Sequence, residues 1–97
     1  MNIFEEIKQS GDSWFSKIIG EPNGSPVAIR VMNNVTAPFH THETTDEMFI
    51  VLSGKVFIDT DIGIQEFTSG QAHTVPAGTR HRARVEGRAE LIIIGGN

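Results

Sequence analysis

Apolar and polar residues alternate over short stretches along most of the chain, and this pattern predicts β-strands. Val27, Ile29 and Val31 take alternate positions, which is the period of a half-buried strand. Turn-forming residues interrupt the pattern between stretches, as they do from Glu21 to Pro26. Strands are predicted over residues 14–19, 27–32, 47–52, 55–60, 64–67, 72–75, from about 81, and over 90–94.

This pattern also predicts the class of fold. Strands this short, at spacings of about 8–12 residues and with little helix between them, are typical of an antiparallel sandwich or barrel. The first eleven residues are predicted to form either one short helical turn or an edge strand, since Ile3, Phe4 and Ile7 have only a weak helical spacing. A length of 97 residues leaves room for one domain. The sequence therefore predicts a single all-β domain.

Two of the predicted strands are apolar on both faces. Phe49 and Val51 share one face of their strand with Glu47, and residues 91–94 have no polar face at all. The other face of the first strand carries Met48, Ile50 and Leu52. An antiparallel sheet with water on one side alternates more cleanly, so these outer faces require a cover. Either the segment from Met1 to Ile19 or a second copy of the chain supplies it, and we favour a homodimer.

Composition narrows the classes of function. The chain has no cysteine, so a disulfide cannot stabilise this small domain, and a metal ion or a partner subunit remains available. The net charge of −4 argues against general nucleic-acid binding. The first residues have neither the basic start nor the apolar run of a signal peptide, and no stretch has the length of a membrane span, so we expect a cytoplasmic, bacterial type of protein.

Half of the basic residues lie close together in one short region. This arginine group consists of Arg80, Arg82, Arg84 and Arg88. A solvated strand face explains such a pattern more simply than a local attraction for an anionic ligand near a barrel mouth.

His40 and His42 indicate a metal centre. One residue separates them, so on a strand both imidazoles lie on the same face, about 6.5–7 Å apart along the backbone. This arrangement suits two ligands that close on one ion with metal–nitrogen bonds of about 2.1 Å. Glu47 lies five residues further on, on an otherwise apolar strand face, where a carboxylate is costly unless it is paired or bound to metal. His81 follows the rigid turn Pro76-Ala77-Gly78, which can direct a fourth ligand.

The spacing of these residues resembles the two sequence motifs of the cupin superfamily. The first motif reads His40-Thr41-His42, four residues, Glu47, six residues, Gly54; the second reads Gly70, five residues, Pro76-Ala77-Gly78, two residues, His81. Fifteen residues separate Gly54 from Gly70, as in cupins with a short spacer. The chain is similar to the small single-domain bacterial cupins.

The chain departs from the family pattern at two positions. Asn34 stands where the first motif usually opens with glycine, and asparagine tolerates a positive φ better than most residues, so the turn can survive. Val85 stands where the second motif usually ends with asparagine, a position that supports structure in the family. All four ligand positions of the family are present.

The resemblance implies an antiparallel double-stranded β-helix, the cupin or jelly-roll barrel. It implies a single cupin domain over residues 1–97, with a core barrel over about 27–94 and an N-terminal segment 1–26 that packs on the barrel or in a dimer. It also implies one divalent transition metal (Fe, Mn, Zn, Ni or Cu) held by His40, His42, Glu47 and His81, with one or two positions open for substrate or water. A neutral, hydrogen-bonded cluster of core histidines is the alternative.

Function is less determined than fold, because it depends on the site. We favour a metal-dependent enzyme that acts on a small molecule, of the dioxygenase, isomerase or decarboxylase/lyase type, with Glu47 as ligand or catalytic base. The alternative is a non-catalytic barrel that binds or senses a small molecule, by resemblance a sugar-related one. His73 is expected to be structural, or else to orient a ligand from outside the metal centre. Arg30 and Met32 are plausible pocket-lining residues.

Overall fold

Seven antiparallel strands build this protein, which a computed structural model describes over residues 1–11 and 14–97. Helix α1 spans Ile3–Lys8, and a short 3-10 turn spans Pro22–Gly24. The strands are β1 (Phe15–Gly20), β2 (Val27–Thr36), β3 (Glu47–Ser53), β4 (Lys55–Thr60), β5 (Gly63–Thr68), β6 (Ala72–Val75) and β7 (His81–Gly95). Every pairing between them is antiparallel.

Strand β7 connects the two halves of the barrel. Its second half pairs with β3, which in turn pairs with β6, and its first half pairs with β4, which pairs with β5. Strand β2 pairs with β7 along both halves, and β1 adds to the other side of β2. This is the antiparallel double-stranded β-helix that the motifs imply.

A single 15-residue strand replaces the two separate strands predicted from about 81 and over 90–94. The register between β2 and β7 shifts after Asn33, so the strands bend without breaking. Asn34 has a φ of 48°, and its side-chain oxygen accepts a hydrogen bond from the backbone N–H of Gly87 at 2.8 Å. The expectation that asparagine supports a positive φ at this position is confirmed.

Two groups of apolar side chains lie on opposite faces of the sheet. The inner cluster fills the barrel and consists of Met32, Phe49, Val51, Val56, Ile58, Val75, Ala83, Val85, Ala89, Leu91 and Ile93. The outer cluster is centred on Ile7, Ile29, Val31 and Ile92. Glu47, Phe49 and Val51 are buried on the inner face, as the alternation predicts, while Met48, Ile50 and Leu52 are half-buried.

The N-terminal segment packs on the outer cluster. Asn2 caps α1 by accepting a hydrogen bond from the N–H of Glu5, which places Ile7 against the sheet with 2% of its surface exposed. Ile3 from α1 and Phe15 and Ile19 from β1 extend this contact. The first residues therefore form a helical turn rather than an edge strand. The homodimer stays a prediction.

The described part of the chain contains one α-helix, and its six residues are too few to span a membrane.

Candidate metal centre

The four residues that the motifs single out meet at one end of the barrel interior. The ligand atoms offered by His40, His42, Glu47 and His81 all lie within 4.8 Å of one another. His81 opens β7, and Glu47 opens β3. The two other histidines lie on the connection between β2 and β3. Residues 41 positions apart along the chain thus reach a common point.

A backbone bridge brings His40 to His81. The N–H of each residue donates to the carbonyl oxygen of the other at 2.9 Å, which is an antiparallel pairing outside the main strands. The two imidazole centroids lie 4.5 Å apart as a result. The connection between β2 and β3 therefore pairs with β7 at His40, which places the His40 ring beside the His81 ring.

The turn after β6 fixes the third histidine. The N–H of Gly78, which has a φ of 81°, donates to the carbonyl oxygen of His42 at 2.8 Å. The N–H of Ala77 donates to a carboxylate oxygen of Asp46 at 2.8 Å. The Pro76-Ala77-Gly78 turn thus ties the segment that carries His42 to the strand that carries His81.

Backbone carbonyl groups determine the tautomers of two histidines. Nδ1 of His40 lies 2.9 Å from the oxygen of Pro38, and Nδ1 of His81 lies 2.8 Å from the oxygen of Thr79. A carbonyl oxygen can only accept, so each Nδ1 carries a proton. In a neutral ring Nε2 then carries the lone pair that a metal ligand needs.

Glu47 is the acidic member of the cluster and is 6% exposed. Its Oε1 lies 2.8 Å from Nε2 of His81, and its Oε2 lies 3.6 Å from Nε2 of His42. A carboxylate oxygen and an imidazole lone pair repel each other at this distance, so a proton or a metal cation is required between them. Either a hydrogen bond or a bound cation therefore accounts for this contact.

Two glycines at the end of β7 lie against the start of β3, and one of them, Gly96, makes room for this carboxylate. Gly96 has a φ of 69°, and its N–H donates to the oxygen of Asp46 at 3.0 Å. A Cβ at Gly96 would lie 2.2 Å from Oε2 of Glu47, and a Cβ at Gly95 would lie 2.3 Å from the oxygen of Asp46. Sequence reasoning missed both residues. The signal for them is the Gly-Gly pair that ends the most apolar strand.

The cluster suits a first-row transition metal. Nε2 of His42 is buried and has no hydrogen-bond partner among the described residues, as expected of a nitrogen that has a ligand role. Two ligands with bonds of about 2.1 Å on opposite sides of an ion lie about 4.2 Å apart, so the 4.8 Å spread of the cluster requires only small adjustments. Three nitrogens and one oxygen fit zinc, copper, iron, nickel or manganese.

His73 lies apart from the cluster. It is opposite Phe49 in the pairing of β6 with β3, and its ring stacks on Phe67 with centroids 4.8 Å apart and an angle of 20° between the planes. It also lines a cavity of about 360 Å³ with Val75 and Thr79. Val75 pairs with Glu47, and the carbonyl oxygen of Thr79 accepts from Nδ1 of His81, but no residue of the cluster is among those that line this cavity.

The arginine group is largely engaged on the outer face of the barrel. Arg82 and Arg84 alternate with the buried residues of β7 and donate to the carboxylate of Asp59 at 2.8 and 3.1 Å. The hydrogen bond from Arg84, together with Arg82, lowers the pKa of Asp59, and the same contact raises the pKa of Arg84. Arg88 pairs with Glu90. This arrangement favours a structural role for the group over the attraction of an anionic ligand.

A double-stranded β-helix with three histidines and a glutamate gathered at one end of its interior defines a class of small barrel proteins with a potential metal centre. Residues 29–95 match the family model described as a cupin domain. The chain belongs to this cupin family.

Solved structures share the fold. A cupin-2 domain containing protein from Shewanella frigidimarina has a TM-score of 0.90 at 22% identity, over 100% of this chain and 94% of the other. A conserved protein with a double-stranded β-helix domain from Klebsiella pneumoniae has a TM-score of 0.80 at 16% identity, over 97% and 80%. An RmlC-like cupin from Methanocaldococcus jannaschii has a TM-score of 0.77 at 11% identity, over 90% and 83%. No curated protein sequence matches this chain. At these identities the likeness concerns the fold alone.

Proposed function

We propose that this cupin is a metal-dependent enzyme that acts on a small molecule, with one divalent transition metal held by His40, His42, Glu47 and His81. The observation that carries the proposal is the convergence of the four ligand atoms within 4.8 Å, with a buried His42 Nε2 that has no hydrogen-bond partner among the described residues. Unpaired buried nitrogens are costly unless something binds them.

The residues of the cluster would have different roles in the reaction. The carbonyl groups of Pro38 and Thr79 accept from Nδ1 of His40 and His81, which leaves Nε2 of each ring as the nitrogen available to a metal. When bound, the ion would supply Lewis acidity to an oxygen donor of the substrate. Glu47 either remains a ligand or serves as the catalytic base, since its two oxygens face different histidines.

The reaction type depends on the metal. An iron centre is suited to dioxygenase chemistry, whereas a redox-inert ion is suited to isomerisation, decarboxylation or a lyase reaction. His73, which lines a cavity with Val75 and Thr79, is a further candidate proton carrier. A non-catalytic barrel that binds or senses a small molecule is the competing function, and it is favoured by the small number of proton-transferring side chains on the inner face.

Metal analysis followed by activity assays tests the proposal. Protein purified without a chelating tag is analysed by mass spectrometry of its metals, reloaded with Fe(II), Mn(II), Ni(II), Cu(II) or Zn(II), and assayed for oxygen consumption and for conversion of small-molecule candidates. We expect one ion per chain and turnover that the His42→Ala variant lacks. Stoichiometric metal without turnover would favour the binding function, and failure of every ion to bind would overturn the proposal.

A further inference from the structure

Arg30 is a cation on the inner face of the barrel. In β2, Ile29 and Val31 belong to the outer cluster, so Arg30 projects to the opposite face. Its partner in the register is Leu91, a member of the inner cluster, and Leu91 pairs with Val51. Residues directly opposite each other in an antiparallel pair share a face, so Arg30 shares its face with the inner cluster.

One nitrogen of the Arg30 side chain lacks a hydrogen-bonding partner among the described residues. Its Nε is buried and is bonded to none of the residues that the structure describes. An arginine cannot lose its charge in a protein, and a buried polar group without a partner is costly, so this nitrogen is suited to an anionic acceptor from outside the chain.

The charge of Arg30 acts on Glu47 across the interior. Burial lowers the pKa of Arg30, and the carboxylate of Glu47 opposes this effect. A divalent ion on Glu47 would cancel that carboxylate and leave two positive charges facing the same space. An anion in this space would then be attracted from both sides.

The surroundings of Arg30 give access from solvent. The ring of Trp14 lies 5.2 Å from Cζ of Arg30, and Trp14 is 54% exposed. Ile18 pairs with Ala28 on the same face of the sheet and is 57% exposed. A cation flanked by exposed apolar side chains suits a carboxylate on an apolar carbon skeleton.

We infer that Arg30 binds a carboxylate of the small molecule whose other end reaches the metal centre, so that the ligands of this cupin are carboxylic acids with a second oxygen donor. This inference rests on the proposed metal function, because the metal ion is the second of the two groups that would bind the ligand. It adds the chemical class of the ligand, which the four metal-binding residues do not determine.

Titrations with diacids and with their half-amides separate the contribution of Arg30 to ligand binding from that of the metal. Malonate, succinate and glutarate are each compared with the corresponding half-amide, which keeps one carboxylate and replaces the other by a neutral group. In the Co(II)-loaded protein the visible spectrum reports on the metal, and the emission of Trp14, the single tryptophan, reports on the surroundings of Arg30.

The variants isolate the contribution of Arg30. We expect the unmodified protein to bind one diacid at least ten-fold more tightly than its half-amide, and Arg30→Gln to lose this preference while Co(II) affinity stays within two-fold. Arg30→Lys, which keeps the charge but not the fork of donors, should retain part of the preference. Lys55→Gln removes the same charge from an exposed side chain on β4, and it should leave both the preference for the diacid and the Co(II) affinity unchanged. Circular dichroism checks that each variant is folded.

The outcomes distinguish this inference from the proposed function. Co(II) binding without a preference for any diacid, or a preference that survives Arg30→Gln, would overturn the role of Arg30 and leave the metal proposal intact. Failure to bind Co(II) would count against the metal. The emission of Trp14 in the metal-free protein then decides: a response to diacids that Arg30→Gln abolishes supports the anion site, and no response overturns it.

Discussion

Gly96 occupies the position next to the carboxylate of Glu47 where any side chain would collide with it. A Cβ there would lie 2.2 Å from Oε2 and 2.7 Å from Cδ of Glu47, both closer than Cβ atoms approach other atoms in folded proteins. Gly96 directly follows β7 and Glu47 opens β3, and the two strands pair at Gly95 and Glu47. The residue that follows one strand thus limits how the carboxylate on the neighbouring strand can be oriented.

Gly96→Ala is expected to weaken metal binding by moving Glu47. The affinity should fall by about 10–100-fold, the range for changes beside metal ligands, as measured by titration with Zn(II) or Co(II). Gly24→Ala is the matched control, because Gly24 also has a positive φ, at 78°, but has no atom within 4 Å of a Cβ. Each variant should lose about 1 kcal/mol of folding stability from backbone strain. Equal metal affinities in the two variants would contradict the role assigned to Gly96.

His42→Ala is expected to lower metal occupancy and melting temperature together. A ligand that binds only the folded state stabilises it by about 2.7 kcal/mol at a free concentration one hundred times its Kd, and this stabilisation disappears with the site. In the presence of a chelator the variant and the unmodified protein should melt at similar temperatures. His73→Ala provides the comparison, since His73 stacks on Phe67 away from the cluster. An occupancy that His42→Ala leaves unchanged would remove His42 from the ligand set.

Asp59 is expected to make stability depend on pH in the acid range. Because Arg84 and Arg82 lower its pKa in the folded state, Asp59 contributes stability at pH values above its ordinary pKa of about 3.9. This contribution disappears as the pH falls through the lowered value. Asp59→Asn should therefore be less stable than the unmodified protein at neutral pH, and the difference should shrink steadily below about pH 4.

Urea unfolding at several pH values measures this difference. Asp61→Asn is the control, because the side chain of Asp61 is 76% exposed and lies 3.9 Å from Arg80. It should show little difference at any pH. A deficit for Asp59→Asn that is constant from neutral to strongly acidic pH would show that the ion pair is not responsible.

Ile50→Asp is expected to give monomers if the outer face of β3 is the contact between two copies. Ile50 and Leu52 pack against the outer cluster, and both are only half-buried. A carboxylate there would be desolvated in a dimer but hydrated in a monomer. Sedimentation velocity at low micromolar concentration measures the mass.

Ile64→Asp makes the same change at an isoleucine of β5 that is 66% exposed, and it should leave the association state unchanged. Circular dichroism separates loss of association from loss of folding in both variants. A dimer that persists in Ile50→Asp would place the interface elsewhere, and a monomeric unmodified protein would end the homodimer prediction.

Local patterns determined much of what could be predicted. The period-two alternation set the two faces of β3, so that Glu47 was expected beside Phe49 and Val51 on the inner face, where the structure has them. Residue chemistry at single positions was equally informative: Asn34 was expected to support a positive φ and has one. The residues of the histidine and glutamate cluster were predicted from the spacing of His40 and His42, from the apolar face that carries Glu47 and from the resemblance to the cupin motifs, all of which can be read in the order of the chain.

Only the tertiary structure decided which distant residues meet. β7 is one continuous strand where two were predicted. Its bend depends on β2, because the side chain of Asn34 accepts a hydrogen bond from the N–H of Gly87. The space at Gly96, the pairing of Asp59 with Arg84 and the unpaired Nε of Arg30 likewise depend on strands remote in sequence. Periodicity records which way a side chain points from its own strand, whereas partners are set by the register between strands, and that register depends on the closed barrel as a whole.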